Sequence, residues 1–305
     1  MATLLRRAFM ATAKPVRIGM YNTASLSTQA TAYETLLVTH PSPYVTKVTI
    51  NRPDKSNAMN TAFWTEIKEC FDSLSVDPDC RVVMVTGAGK NFTAGLDLVD
   101  FAGKFSEFSG EGSDVGRKAM AVRRMAKPMQ DSFTALEKCS KPVIAVIHGA
   151  CVGGGVDMVT ACDIRLASQD AFFQIKEVEL GLAADVGTLQ RLPKVVGNDS
   201  LVRELVYSAR RFTAQEAHAI GMLSDVYESR ESAESAGLSL AETIASKSPV
   251  AVQGSKVNLV YSRDNTVDNG LEYALTWNSA MLQSEDLLKA AQAAMTKETP
   301  VYSKL

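Results

Sequence analysis

The chain has 305 residues, 46% of them hydrophobic and 22% charged, with a formal net charge of −2. That balance, with no Lys/Arg-rich stripe, leaves no electrostatic footprint for nucleic acid or an acidic membrane surface, and no apolar run approaches the length of a membrane span. Five cysteines without a C-x-x-C pair point to reduced, structural thiols.

Residues 1–33 carry Arg6, Arg7, Lys14 and Arg17 among many Ser, Thr and Ala, with no acid before Glu34. That composition reads as a mitochondrial presequence, and it describes a disordered tail equally well. The chain ends Ser303-Lys304-Leu305, a tripeptide read as a peroxisomal address. The expected destinations are therefore the mitochondrial matrix and the peroxisome.

Past the leader, Val45-Thr-Lys-Val-Thr-Ile50 alternates as a strand, after a hairpin-type break at Pro41-Ser-Pro43. Asn51–Asn57 is rich in turn formers. Asn60 or Thr61 can cap an amphipathic helix running to about Leu74, with Phe63, Ile67, Cys70, Phe71 and Leu74 on one face. Arg81–Thr86 is a second buried strand, followed by the glycine-bearing loop Gly87–Asp97. Phe101–Gly116 reads as a mobile, irregular stretch, and Asp114–Cys139 as one long helix or two, bent at Pro128.

A third buried strand, Pro142–Ile147, feeds His148-Gly-Ala-Cys-Val-Gly-Gly-Gly155 and then an apolar helix carrying Asp157. Strand, glycine turn and helix together aim backbone N–H groups and the positive end of a helix dipole at one point. Two such loops, each after a hydrophobic strand, gather at one end of an α/β sheet, where ligands bind. Neither G-x-G-x-x-G nor Gly-Lys-Ser/Thr spacing is present, so the turn suits a carbonyl oxygen better than a diphosphate. Short helices follow at Asp199–Ser208 and Thr213–Ile220, the second opened by a capping-box pattern, Thr213-Ala-Gln-Glu216. Residues 232–296 are almost wholly helical in pattern, with apolar faces that must be buried on the core or on another subunit.

Three acids follow the glycine turn: Asp157, then Glu177 twenty residues on, then Asp185 eight further. Each has an ordinary structural reading. Asp157 sits in a helix's first turn, where it offsets the dipole. Glu177 can pair with Lys176 on the surface, and Asp185 can cap the following helix. Yet Asp185 closes the apolar run Leu180-Gly-Leu-Ala-Ala184, a setting that raises a carboxyl's pKa and suits it to donate a proton. Oriented amide donors beside acid/base groups are what enolate chemistry next to a carbonyl requires. His40, His148 and His218 show no metal-ligand spacing, and His148 reads as a structural residue.

Phe92-Thr-Ala-Gly-Leu-Asp97, His148–Gly155, Ala161-Cys-Asp163 and Gly187-Thr-Leu-Gln-Arg-Leu192 together resemble the crotonase (enoyl-CoA hydratase/isomerase) superfamily, over roughly residues 35–300. The resemblance implies an α/β crotonase fold of repeated ββα units in a spiral core. It divides the chain into a leader (1–33), a core (34–228), a C-terminal helical oligomerisation region (229–302) and the terminal tripeptide. It implies an oxyanion hole from the backbone N–H groups of Leu96 and Gly154, and an acyl-CoA site lined by Leu96, Asp97, Leu98, Val99, Asp100 and Gly154, with Asn51–Asn57 nearby. No metal or redox cofactor is implied, coenzyme A being part of the substrate. The expected assembly is a homotrimer or homohexamer.

Within the superfamily, Gly155–Asp163 and Lys176–Asp185 are similar to members that isomerise a 3,5-dienoyl-CoA to the 2,4-dienoyl-CoA. There Glu177 corresponds to the base at C2, Asp185 to the acid at C6, and Asp157 to a third acid that tunes the pair. A typical hydratase has glutamate in place of Asp157 and glycine in place of Asp185, which disfavours water addition. An enoyl-CoA hydratase or a Δ3,Δ2-enoyl-CoA isomerase is the alternative, and a non-catalytic RNA-binding relative a remote one.

Overall fold

The computed structural model describes residues 33–108 and 114–305, with the backbone alone for 105–108. The proposed leader, Tyr33 apart, lies outside the described residues. The chain opens with a hairpin of β1 (Leu36–Ser42) and β2 (Val45–Ile50), turned at Tyr44 with φ 64°. Helix α1 (Thr61–Val76) starts where the sequence offers a cap: the Asn60 side chain accepts the Phe63 N–H. Its buried face, Phe63, Ile67, Cys70, Phe71 and Leu74, is the one the periodicity marked, with Trp64 added.

After β3 (Val82–Gly87), residues 98–108 form helix α2 (Leu98–Phe108) rather than an irregular stretch. Asp100 accepts from the Thr61 N–H at 3.0 Å and hydroxyl at 2.8 Å, and so ties α2 to the start of α1. Such a tie between distant segments leaves no trace in local periodicity. Helix α3 (Val115–Lys138) is a single helix that contains Pro128 and is capped by Asp114.

Then come β4 (Val143–Ile147), β5 (Ala150–Val152), α4 (Gly154–Ala161), β6 (Ile164–Ser168), β7 (Phe172–Gln174), α5 (Thr188–Val196), α6 (Asp199–Ser208), β8 (Phe212–Thr213), α7 (Ala214–Ala219) and β9 (Asp225–Tyr227). The main sheet has the order β1-β2-β3-β4-β6-β9, parallel except for the opening hairpin. A small second sheet, β5-β7-β8, stands beside it. Buried on both faces, β3 and β4 read as continuous apolar runs. Thr213 accepts the Glu216 N–H as expected, but Glu216 does not reach back to complete a box; it pairs with Arg210.

Helix α8 (Arg230–Ala245) lays Ala233, Gly237 and Ala241 on the sheet, where Gly237 leaves no room for a side chain against Val146. The chain then leaves the core as α9 (Pro249–Arg263), α10 (Val267–Met281) and α11 (Glu285–Thr296). Gly254 admits the Trp277 ring, and Tyr261 stacks on Tyr273 at 4.0 Å. Leu259, Leu271, Leu275, Leu288 and Met295 stay mostly exposed. A hollow of about 570 Å³ opens between these helices and Tyr302, with Asp286 in its lining and none of Asp157, Glu177 and Asp185. The terminal segment lies on the core, where the Arg81 guanidinium donates to the carbonyls of Tyr302 and Ser303 and Lys304 pairs with Asp79. No helix among the described residues is long and apolar enough to cross a membrane.

Candidate active site

The two glycine-bearing loops meet. Met59 donates to the Gly95 carbonyl at 2.8 Å and accepts from the Asp97 N–H at 3.0 Å. In a parallel pairing of that kind the intervening residue, Leu96, directs its N–H to the opposite side. Gly95 sits at φ +87°, and a Cβ there would stand 2.7 Å from the Val152 carbonyl oxygen and 3.7 Å from the Gly153 Cα. Only glycine permits both the turn and the approach. Gly153, at φ 54°, turns the second loop into α4, whose first residue is Gly154. As an opening residue of a helix, Gly154 has an N–H with no partner inside the helix. The Leu96 and Gly154 amides thus come from two bends in direct contact.

Asn57 locks this arrangement. Fully buried, it donates to the carbonyls of Ala88 and Asn91, both at 2.8 Å, and accepts the Arg52 N–H at 2.9 Å. Thr93 adds a bond from its hydroxyl to the Asn57 carbonyl at 2.7 Å. Behind Gly154 lie the Met59 sulfur, 3.1 Å from where a Cβ would stand, and the tilted rings of Trp64 and Phe133. Of the expected lining residues, Asp97 pairs with Arg52 at 3.0 Å; against its partial burial, that bond holds its carboxyl below the usual range. Asp100 is committed to Thr61, while Leu98 and Val99 present exposed apolar side chains.

The three acids converge on the same place. A Cβ on Gly153 would lie 3.3 Å from the Glu177 Oε1, which puts that carboxylate against the second bend. Glu177 opens a single helical turn, Glu177–Leu180, beyond β7. It does not pair with Lys176, which reaches Glu179 instead. Its Oε2 is buried without a hydrogen-bond partner, and burial together with the Asp185 charge raises its pKa. Asp157 is fully buried; its Oδ1 accepts the Thr188 N–H at 2.5 Å and its Oδ2 has no partner. Burial and then the Glu177 charge push its pKa up to about 7. Asp157 therefore caps not its own helix but the start of α5.

Asp185 does not cap α5: the N-cap is Gly187, with no side-chain bond. Asp185 is an exposed residue, in contrast to the apolar setting expected of it, and the partial desolvation of its carboxyl raises its pKa. Its backbone is fixed by Gln130, whose amide donates to the Asp185 carbonyl at 2.7 Å. The turn after it is braced by Arg191, which fills the space beside Gly187 and makes two 3.1 Å hydrogen bonds to Glu137. His148 is structural, within 3.1 Å of the Gly89 carbonyl. Sequence reasoning carried Asn57, Thr188 and Arg191 only inside the segments Asn51–Asn57 and Gly187–Leu192, with no role for any of them, because each acts through a contact distant in sequence. Gly187, four residues before Arg191, was the one local signal of a crowded turn. Among the described residues no cluster of His, Cys, Asp or Glu could hold a metal ion.

Two backbone donors beside three carboxyl groups of raised pKa can polarise a carbonyl and move a proton at carbons conjugated with it. The family described as enoyl-CoA hydratase/isomerase matches residues 42–304. Over 276 residues the chain is 55% identical to the mitochondrial Δ(3,5)-Δ(2,4)-dienoyl-CoA isomerase of Mus musculus, covering 90% of this chain and 84% of that protein. It is 48% identical to the peroxisomal enzyme of the same name in Arabidopsis thaliana, over 84% of this chain and 91% of the relative. Among solved structures, an enoyl-CoA hydratase from Bacillus anthracis superimposes with a TM-score of 0.79 at 30% identity, covering 88% of this chain and 99% of that one.

Proposed function

The chain belongs to the enoyl-CoA hydratase/isomerase family, and we propose that within it the protein isomerises 3,5-dienoyl-CoA to 2,4-dienoyl-CoA, a step in the β-oxidation of unsaturated fatty acids. The double bonds move one carbon toward the thioester, so C2 loses a proton and C6 gains one. The thioester oxygen is held by the Leu96 and Gly154 amides, with the α4 dipole behind them. Charge drawn onto that oxygen acidifies C2–H and stabilises the dienolate, and one such donor is worth about 3–4 kcal/mol of barrier.

Glu177, against the Gly153 bend, takes the C2 proton. Asp185, farther along the acyl chain, returns one at C6. Asp157 shapes the proton affinity of Glu177. The observation that carries this reading is the gathering of three carboxyls beside two amide-bearing bends, with one oxygen each of Asp157 and Glu177 buried and unpartnered. A base must be ionised and an acid protonated in the same pH range, and raised carboxyl pKa values bring both near neutrality. The test follows loss of a 3,5-dienoyl-CoA and appearance of the 2,4-conjugated chromophore. Wild type turns over; Asp185→Asn loses on the order of 10²–10⁴ in kcat, and full activity in that variant would remove Asp185 from the mechanism.

The protein acts in mitochondria and peroxisomes, a reading supported by relatives named mitochondrial in Mus musculus and peroxisomal in Arabidopsis thaliana. It assembles as a homotrimer or a homohexamer, supported by the apolar side chains that α9–α11 leave exposed. Light scattering that gave the mass of one chain would contradict this. No metal or redox cofactor enters the proposed steps.

A further inference from the structure

Asp185 lies on irregular chain between the Glu177–Leu180 turn and α5, and it is exposed, so its place depends on what holds the backbone around it. That hold comes from one face of α3. Gln130, Thr134 and Glu137 stand four and then three residues apart, the spacing that lines side chains up along a helix. The Gln130 amide donates to the Asp185 carbonyl at 2.7 Å. Glu137 accepts from Arg191 Nε and Nη2, both at 3.1 Å, and the Thr134 hydroxyl accepts from Nη2 at 3.2 Å. The guanidinium held in this way lies beside Gly187, at φ 141°, with Nη1 2.0 Å from where a Cβ would stand.

α4 holds the same turn from its other side, where Asp157 accepts the Thr188 N–H at 2.5 Å. Glu177 sits on a separate turn, closed by its own backbone: the Glu179 N–H donates to the Lys176 carbonyl at 3.0 Å and the Leu182 N–H to the Glu177 carbonyl at 3.2 Å. The brace on Asp185 therefore reaches one of the two proton carriers and not the other.

We propose that Gln130 and Glu137 are positioning residues for the proton delivered at C6, Gln130 by binding the Asp185 backbone and Glu137 by acting through Arg191. The step rests on the isomerase reading above. A planar guanidinium binds a carboxylate through two parallel N–H groups, which fixes direction as well as distance; a lysine in its place supplies charge without the fork. The backbone of the turn is thereby fixed while its carboxyl group stays free to change charge. A reacting group displaced by about 1 Å loses on the order of 10² in rate. Removal of the C2 proton by Glu177 does not pass through the brace.

The test follows a 3,5-dienoyl-CoA in deuterium oxide and reads two rates: formation of the 2,4-diene, and exchange of the C2 hydrogen in substrate not yet converted. The variants are Gln130→Met, Glu137→Gln, Arg191→Lys and the Glu137→Gln/Arg191→Lys double. Gln130 is exposed, so Gln130→Met keeps the fold even where removing a partner of the buried Arg191 does not. The expected kcat falls about tenfold in Gln130→Met and on the order of 10² in Glu137→Gln, while KM and C2 exchange stay at the wild-type level. Arg191→Lys matches Glu137→Gln, and the double variant is no worse than either, because the two side chains act as a unit. Arg263 also reaches Glu137, from α9. Arg263→Gln leaves the Glu137–Arg191 pair in place and keeps the wild-type ratio of exchange to conversion; a loss equal to that of Glu137→Gln would overturn the route through Arg191.

A merely structural role lowers exchange and conversion together, and that result, or additive losses in the double variant, would overturn the proposal. So would amide hydrogen exchange, read without substrate, that failed to quicken over residues 184–190 of Glu137→Gln. A wild type that converts no dienoyl-CoA would overturn the C6 role together with the isomerase reading. Normal conversion by wild type, with an unmoved ratio in the variants, would overturn the C6 role alone.

Discussion

The two bends and the acidic segment beside them are built by opposite means. Around Gly95 and Gly153 the backbone is tightly held: Asn57 fastens the first loop at Ala88 and Asn91, Thr93 ties it back to Asn57, and no atom could be added at Gly95 without striking Val152. Between Glu177 and Thr188 contacts are withheld, and one oxygen each of Asp157 and Glu177 is buried without a partner. Amide donors must not move as charge develops, so tight packing serves them. Proton carriers must change charge at little cost, and incomplete hydrogen bonding leaves their pKa free to rise. Rigidity and poise are thus assigned to separate stretches of chain.

The sharpest way to probe that division is on the acidic side. Glu177→Gln preserves shape, and kcat should fall on the order of 10²–10⁴ with the melting temperature within a degree or two of wild type. Steady-state kinetics with a thermal melt reads both. On the rigid side the two quantities should fall together. Gly95→Ala places a methyl group against the Val152 carbonyl at a φ of +87°, so the Leu96 donor moves. It should cost on the order of 10²–10³ in kcat and about 1–3 kcal/mol of stability, measured by denaturant unfolding. If Gly95→Ala kept full activity, the first bend would not supply a donor.

A smaller effect tests the poise of the acids. The Asp157 carboxyl is raised in the folded protein to about 7 from 3.8. Between those values the folded state binds the more protons, so stability falls as pH rises through roughly 4 to 7, and the full cost is present above 7. Asp157→Asn removes that contribution. Its stability relative to wild type should improve between pH 5 and pH 8, by on the order of 1–4 kcal/mol. Unfolding curves at the two pH values measure it, and an unchanged difference would mean that Asp157 is not held against its charge.

The rigid half was largely legible in the sequence. Apolar runs named β2, β3 and β4, glycines named the bends, and Asn60 named the start of α1, because these depend on local chemistry. The acidic half was legible only as a set of residues. That Asp157 reaches Thr188 across 31 positions, or that Asp100 ties to Thr61 across 39, follows from tertiary packing that no local period encodes. Of the second sheet, β7 falls in the apolar strand-like run Ala171–Ile175, whereas β5 and β8, at three residues or fewer, were too short to carry an alternation. Phe101–Gly116 read as irregular because Gly103 and the serine- and glycine-rich run beyond it resemble a loop, whereas its first part, 101–108, belongs to helix α2, which Asp100 ties to α1.

The central claim is that one acid withdraws a proton at C2 while another delivers one at C6. Single-turnover conversion of a 3,5-dienoyl-CoA in deuterium oxide, with the product's label located by NMR, tests it directly. The account predicts a 2,4-dienoyl-CoA carrying solvent deuterium at C6, and no label there with Asp185→Asn. A product heavier by one water, or a 2,4-diene formed without deuterium at C6, would contradict it.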